Sequence, residues 1–254
     1  KLVEIGNVFL TLPAELEAAI TERTAYVFYV PGAHIGRGVL PLETVVEIAH
    51  ANGVPVMVDA AAQLPPVENL WKYTRDLGAD LAVFSGGKDL RGPQASGFVV
   101  GRADLIEAMR LHGAPNQRFG RPMKVGKEEM CGLVAAIERY LTLDHDARIA
   151  EWEAIVAEWI AAGSGLPGVR AYRGFPNEAG QPTPRALFEI DSAMAGFSAA
   201  EVIARLLDGD PAIAAGTDAG PNIVACSPDV LDGADPAIVT AALKSVLSGA
   251  LVQA

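Results

Sequence analysis

Apolar residues in the first half of the chain come in short unbroken runs, separated by segments with helical spacing. The runs AYVFYV (25–30), VPVMVDAAA (54–62), DLAVFSG (80–86) and GFVVG (97–101) read as strands. Between them, ELEAAITE (15–22) carries acidic residues suited to a helix N-terminus. PLETVVEIAHANG (41–53) has Pro41 near its first turn and Gly53 as its stop, and a further helix is predicted near 70–77. Strands that are apolar throughout, rather than alternately, predict a sheet covered on both faces, as in layered α/β architecture.

Residues 127–162 turn mostly helical, as KEEMCGLVAAIERYL and ARIAEWEAIVAEWIAA joined by TLDHD. Helical patterning stops at GSGLPG. A strand VRAYRG, a Pro/Gly-rich loop, a strand RALFEID and a helix SAAEVIARLLDG follow, then a strand NIVACSP and a closing helix from 234. The expected organisation is a large α/β domain over 1–145 and a smaller α/β domain over 146–254.

Composition narrows the function classes. The chain has 254 residues, half of them hydrophobic, and a net charge of −11. That balance argues against a nucleic-acid partner, which calls for a concentrated cationic face, and favours small-molecule chemistry. No apolar stretch approaches the ~20 residues of a membrane-spanning helix, and no secretion signal opens the chain. Cys131 and Cys226 lie far apart in periodic segments, outside any metal-binding spacing; they read as packing residues of a reduced, cytoplasmic protein, with no metal site.

Two residues stand where open α/β sheets place their ligand sites. Asp59 is the first polar residue after VPVMV, and Lys88 follows the next strand-like run, among glycines in FSGGKDLRGPQASG. Alone, Asp59 reads equally as a turn or cap residue, and Lys88 as a solvated lysine. Together, at successive strand ends, they form the pair that pyridoxal-phosphate chemistry needs: an amine for the Schiff base and a carboxylate to keep the pyridine nitrogen protonated. A buried lysine without such a role would be costly to desolvate. Gly86 and Gly87 are expected to adopt backbone conformations closed to other residues and to leave the lysine unobstructed.

VPVMVDAAAQLPP, GADLAVFSGGKDLRGPQASGFVVGR and GRPMKVGKEEM resemble the fold-type I pyridoxal-phosphate enzymes, most closely the group of bacterial selenocysteine synthase and the D-glucosaminate-6-phosphate ammonia-lyases. The resemblance covers most of residues 1–140. It implies a mainly parallel large-domain sheet with a small C-terminal α/β domain, and an N-terminal part of the large domain, with its phosphate-cradling loop, lying before Lys1. It implies Lys88 as the Schiff-base lysine, Asp59 as the pyridinium partner, Ala61 against the ring face and Ser85 on the cofactor phosphate. Gln63 is placed on the ring oxygen or substrate, with a turn glutamine as its alternative. Gly120 and Arg121 would meet the cofactor phosphate or the substrate near a subunit interface, beside Lys124, at the start of a helix. Arg185 is the weaker match for a substrate carboxylate; His34 and Arg37, in the loop PGAHIGRG after a strand end, read as structural loop residues, with substrate contact as the alternative. The implied activity is a lyase removing ammonia and water from an amino-sugar acid or β-hydroxy amino acid, in a homodimer or larger homo-oligomer. A selenocysteine synthase-like transferase, an aminotransferase and a non-catalytic relic of the fold are the alternatives.

Overall fold

The computed structural model describes residues 1–7, 9–32, 38–218 and 220–249. The chain divides into two units. The first takes Lys1–Leu143 and Glu178–Gln181; the second takes Asp144–Asn177 and the chain from Pro182 onward.

In the first unit, α1 (Pro13–Ala19), β1 (Val27–Tyr29), α2 (Leu42–Ala51) and β2 (Val56–Asp59) are followed by a short helix, α3 (Asn69–Trp71), which continues as a π-helical turn, Lys72–Asp76. Then come β3 (Leu81–Ser85), β4 (Gly97–Gly101), α4 (Ala103–His112) and α5 (Lys127–Leu141). The sheet order is β1-β2-β3-β4. β1, β2 and β3 run parallel, and β4 returns antiparallel beside β3. Gly53 ends α2 at φ +69°, a left-handed conformation that glycine adopts without steric penalty.

Register separates the two faces of this sheet. Val56, Val58, Ala82 and Phe84 point to one side and are buried; they join Val45, Ile48 and Ala49 of α2 and Leu133 and Tyr140 of α5 in one apolar core. The Phe84 and Phe98 rings stack there at 5.3 Å. The other face carries Phe28, Met57, Leu81 and Val83, which are half-buried or exposed, Phe28 at 48%. The expectation of equal cover on both faces therefore does not hold among the described residues. Helices α2 and α5 both contribute to the core on one side, so the apolar content of the second face is only partly matched by burial.

One buried carboxylate ties this unit together. Asp80, just before β3, accepts hydrogen bonds from His50 Nε2 (2.8 Å), the Val56 amide (2.7 Å) and Arg102 Nη1 (2.7 Å). Burial pushes its carboxyl upward, but the bonds from His50, Val56 and Arg102 prevail and hold it below the ordinary carboxylate value.

The second unit holds α6 (His145–Gly163), β5 (Val169–Gly174), β6 (Arg185–Ile190), α7 (Ser192–Ala195), α8 (Ala199–Leu207), β7 (Gly216–Asp218), β8 (Gly220–Cys226) and α9 (Asp235–Leu247). Its sheet, β5-β6-β8-β7, is antiparallel throughout. Val156 and Trp159 of α6, Phe188 of β6, Val202 of α8 and Leu243 of α9 form its core. Local signals start its helices. Asp144 accepts from the Ala147 amide at the head of α6, and Ser198 and Glu201 close a reciprocal capping box on α8.

Both cysteines are free thiols. Cys226 is buried, and burial raises its thiol to about 12. Cys131 is exposed, which corrects its reading as a packing residue: on α5 it lies off the face formed by Leu133, Ala136 and Tyr140. No described helix is long and apolar enough to cross a membrane, and no described group of His, Cys, Asp or Glu is arranged to hold a metal ion.

Candidate active site

Parallel pairing brings the C-terminal ends of β2 and β3 together. Asp59 is the last residue of β2 and registers with Val83; Ser85 ends β3 two residues further on. Registered residues of neighbouring parallel strands share a face, so Asp59, Val83 and Ser85 stand together on the half-covered side of the sheet. The Ala60 amide extends the ladder to Val83 O at 2.8 Å, and the Ala61 amide donates to Asp59 Oδ1 at 3.0 Å. This turn fixes the carboxylate and places half-buried Ala61 immediately beside it.

Beyond Ser85 the chain makes a closed loop. The Gly92 amide donates to Gly86 O at 2.8 Å and forms its neck; the Arg91 amide donates to Lys88 O at 2.8 Å and forms the turn at its tip. Arg91 completes that turn at φ 56°. Lys88 is exposed at the tip, which corrects the expectation of a buried lysine. Burial at the tip falls to its neighbour Leu90, 1% exposed, and the loop's packing against α5 leaves the lysine facing outward.

The glycines also act differently from expectation. Gly86 and Gly87 do not have positive φ. They are required by close approach: a Cβ on Gly86 would sit 2.8 Å from Leu133 Cδ1 and still closer to Ser96 Oγ, and one on Gly87 would sit 2.6 Å from the Gln94 Cα. Gly86→Ala is therefore expected to destabilise the protein by about 1–3 kcal/mol through overpacking, read as a lowered urea midpoint.

Gln63 is buried and its amide is engaged within the protein. Nε2 donates to Pro31 O (3.2 Å) and Ala179 O (3.0 Å), while Oε1 accepts from the Tyr73 hydroxyl at 3.2 Å. Burial, and secondarily Tyr29, raises the Tyr73 phenol to about 12, so it remains a donor at neutral pH. These residues border a cavity of about 390 Å³ that Tyr29, Leu42, Glu43 and Lys72 also line. The structure thus gives Gln63 a bracing position of the turn-glutamine kind.

Gly120 closes a loop, its amide donating to His112 O at 2.9 Å. Arg121 opens a short 3₁₀ turn, Arg121–Met123, and its buried Nε has no hydrogen-bond partner among the described residues. Lys124 is exposed. Arg185, in the second unit, is buried and pairs with Asp218 at 3.1 Å, so its guanidinium is already engaged by a carboxylate. His34 and Arg37 lie outside the described residues. The structure therefore brings Asp59, Ala61 and Ser85 together at the C-terminal ends of β2 and β3, and places Lys88 in the loop that follows β3. Asp89 and Tyr140, which hold the lysine's turn, were missed by sequence reasoning; a carboxylate directly after the lysine was their only local signal.

A layered α/β unit with a mostly parallel sheet, followed by an antiparallel one, is the fold-type I architecture of pyridoxal-phosphate enzymes. The comparisons agree: residues 3–120 match the family profile described as Aminotransferase class-V. Its relatives include D-glucosaminate-6-phosphate ammonia-lyase and L-seryl-tRNA(Sec) selenium transferase. It is 36% identical over 215 residues to D-glucosaminate-6-phosphate ammonia lyase of Salmonella typhimurium, covering 84% of this chain and 54% of that protein. It is 37% identical over 215 residues to 5'-C-glycyluridine monooxygenase-decarboxylase of a Streptomyces species, covering 84% of this chain and 51% of the relative. A solved D-glucosaminate-6-phosphate ammonia-lyase structure superposes with a TM-score of 0.76 at 32% identity, over 98% of this chain and 64% of that one. The chain thus spans about half the length of these curated relatives.

The residues present suit pyridoxal 5'-phosphate. Lys88 offers an amine free of packing, and Asp59 a carboxylate whose Oδ1 is fixed by a main-chain amide. The unpartnered buried Nε of Arg121 is a donor of the kind an anionic oxygen satisfies.

Proposed function

We propose that the intact protein is a pyridoxal-phosphate-dependent ammonia-lyase acting on an amino-sugar acid or a β-hydroxy amino acid. The observation that carries this reading is the placement of Asp59 and Ser85 at the ends of adjacent parallel strands, with Lys88 in the loop directly after the second, in a chain 36% identical to an ammonia lyase. Bound there, the cofactor supplies the electron sink that makes the substrate Cα proton acidic. Lys88 would hold the cofactor through its amine and, once the incoming substrate amine has displaced it from that bond, would take the proton from Cα. Asp59 keeps a proton on the ring nitrogen, and Ser85 and Arg121 hold phosphate oxygens. Loss of the β-hydroxyl as water is balanced by the water that hydrolyses the product imine, so the net change is release of ammonia and a 2-oxo-3-deoxy acid.

The protein is taken to act as a homodimer or larger homo-oligomer in the cytoplasm. Phe119, 86% exposed, and Met123, 69% exposed, flank Arg121 and offer apolar surface for a second copy. Arg185 is assigned to pairing with Asp218 rather than to substrate.

The test is ammonia release across D-glucosaminate, its 6-phosphate and simple β-hydroxy amino acids, with oxygen uptake recorded in parallel. Ammonia without oxygen uptake is the expected result. The 37% identity to a monooxygenase-decarboxylase favours one rival, in which oxygen is consumed and carbon dioxide released. That result, or transamination alone, would overturn the lyase assignment.

A further inference from the structure

The loop that carries Lys88 leans on a single face of α5. Leu133 meets Gly86, Ala136 meets Gly92, and Gly132 lies against Pro93, each so close that a Cβ on the glycine would be within 3.1 Å of its neighbour. One helical turn beyond Ala136 on the same face, the Tyr140 hydroxyl donates to Asp89 Oδ2 at 2.6 Å. Tyr140 is 0% exposed and packed in the core of the first unit, so its ring is fixed by burial. Asp89 is the residue next to Lys88 and lies within the turn closed by the Arg91 amide on Lys88 O.

The contacts on Gly86 and Gly92 fix the neck of the loop and do not reach its tip. The bond from Tyr140 is short and charge-assisted, and it acts at the tip itself. Leu90, also at the tip, anchors through non-directional apolar packing, which sets depth better than rotation.

We infer that Tyr140 and Asp89 are positioning residues for Lys88: the buried phenol, through the Asp89 carboxylate, sets the orientation of the turn and hence where the lysine amine stands beyond β3. Neither residue touches the reacting atoms in this role. The inference rests on the reading of Lys88 as the attachment lysine. It adds a dependence of that lysine on α5, a helix that supplies none of the chemical groups.

A double-mutant cycle of Tyr140→Phe and Asp89→Ala tests it, with two reactions of Lys88 followed by peptide mass spectrometry. In the first, the amine adds to the aldehyde of pyridoxal phosphate with loss of water, and borohydride supplies the hydride that fixes the bond. In the second, acetic anhydride acylates the exposed amine without needing a defined orientation. The expected result is attachment of pyridoxal phosphate at Lys88 slowed about tenfold in each single variant, the size of one lost charge-assisted hydrogen bond. The double variant should be slowed by less than the two single effects combined, because the residues share a bond. Acylation should be unchanged in all three. Attachment at the unmodified rate, with only a lower melting temperature, would overturn the inference and leave Tyr140 a core residue. Additive losses in the double variant would overturn it too. If the unsubstituted protein acylates at Lys88 but never takes pyridoxal phosphate there, the proposed function itself fails, and the inference with it.

Discussion

Lys88→Ala is expected to remove the visible absorption that the protein gains with pyridoxal phosphate and to lower ammonia release by on the order of 10³-fold. The fold should remain. Lys88 is exposed at the tip of its loop, while packing is provided by Leu90 and the hydrogen bond at the tip by Asp89. Surface substitutions of this kind change stability by only about 0.5 kcal/mol. The variant therefore separates chemistry from structure, with the melting temperature as its control. A protein that keeps its colour and turnover without Lys88 would remove the assignment of this residue. Protein that stays colourless even before substitution would place it among the non-catalytic members of the fold.

The second large effect concerns stability. Asp80→Ala takes away the shared acceptor of His50, the Val56 amide and Arg102, and leaves a buried main-chain N–H unpaired. Because His50 and Arg102 are half exposed, the cost is mainly that of the unsatisfied buried N–H and the lost charge-assisted bonds, about 1–3 kcal/mol. Loosening should appear first in hydrogen exchange at the Val56 amide and along β2 and β3. His50→Ala removes a single donor from the half-exposed side and is expected to cost only about 1 kcal/mol.

The sign of the pH dependence follows from Asp80 itself. Its folded carboxyl lies below the ordinary value, so its contribution is fully present above the unfolded pKa and is lost as pH falls through the folded one. Asp80→Asn should accordingly flatten the acid limb of the stability curve below about pH 4. An acid limb identical to that of the unsubstituted protein would show that the network carries no net stabilisation.

The parts of this molecule legible in the sequence are those decided by local pattern. β4 falls at 97–101 as read, and α5 at 127–141, because each is a periodic segment bounded by its own stop signals. The ends of β2 and β3 were legible for a related reason: a polar residue closing an apolar run, Asp59 in one and Ser85 in the other, marks a strand end. α4 escaped notice because none of its residues is buried, so no apolar stripe announces it. The helix predicted near 70–77 covers α3 and its π-helical turn, whereas the short strand β7 leaves no periodic trace. Gln63 was beyond reach for another reason: its acceptor at Ala179 lies 116 residues away. Likewise the glycines around Lys88 were recognised as necessary, but the cause is crowding by Leu133, Ser96 and Gln94, which only tertiary structure supplies.

The short excursion Glu178–Gln181 bears on how this protein can be dissected. It leaves the connection between β5 and β6, belongs to the first unit, and is held there by Gln63 on Ala179 O and by Gln181 Nε2 on Leu64 O. A fragment ending at Leu143 would thus lose part of the unit it was meant to isolate, including an acceptor for a buried amide. The division of the chain into two units is interrupted by these four residues. Any exchange of the second unit between relatives must carry those four residues as a graft compatible with Gln63.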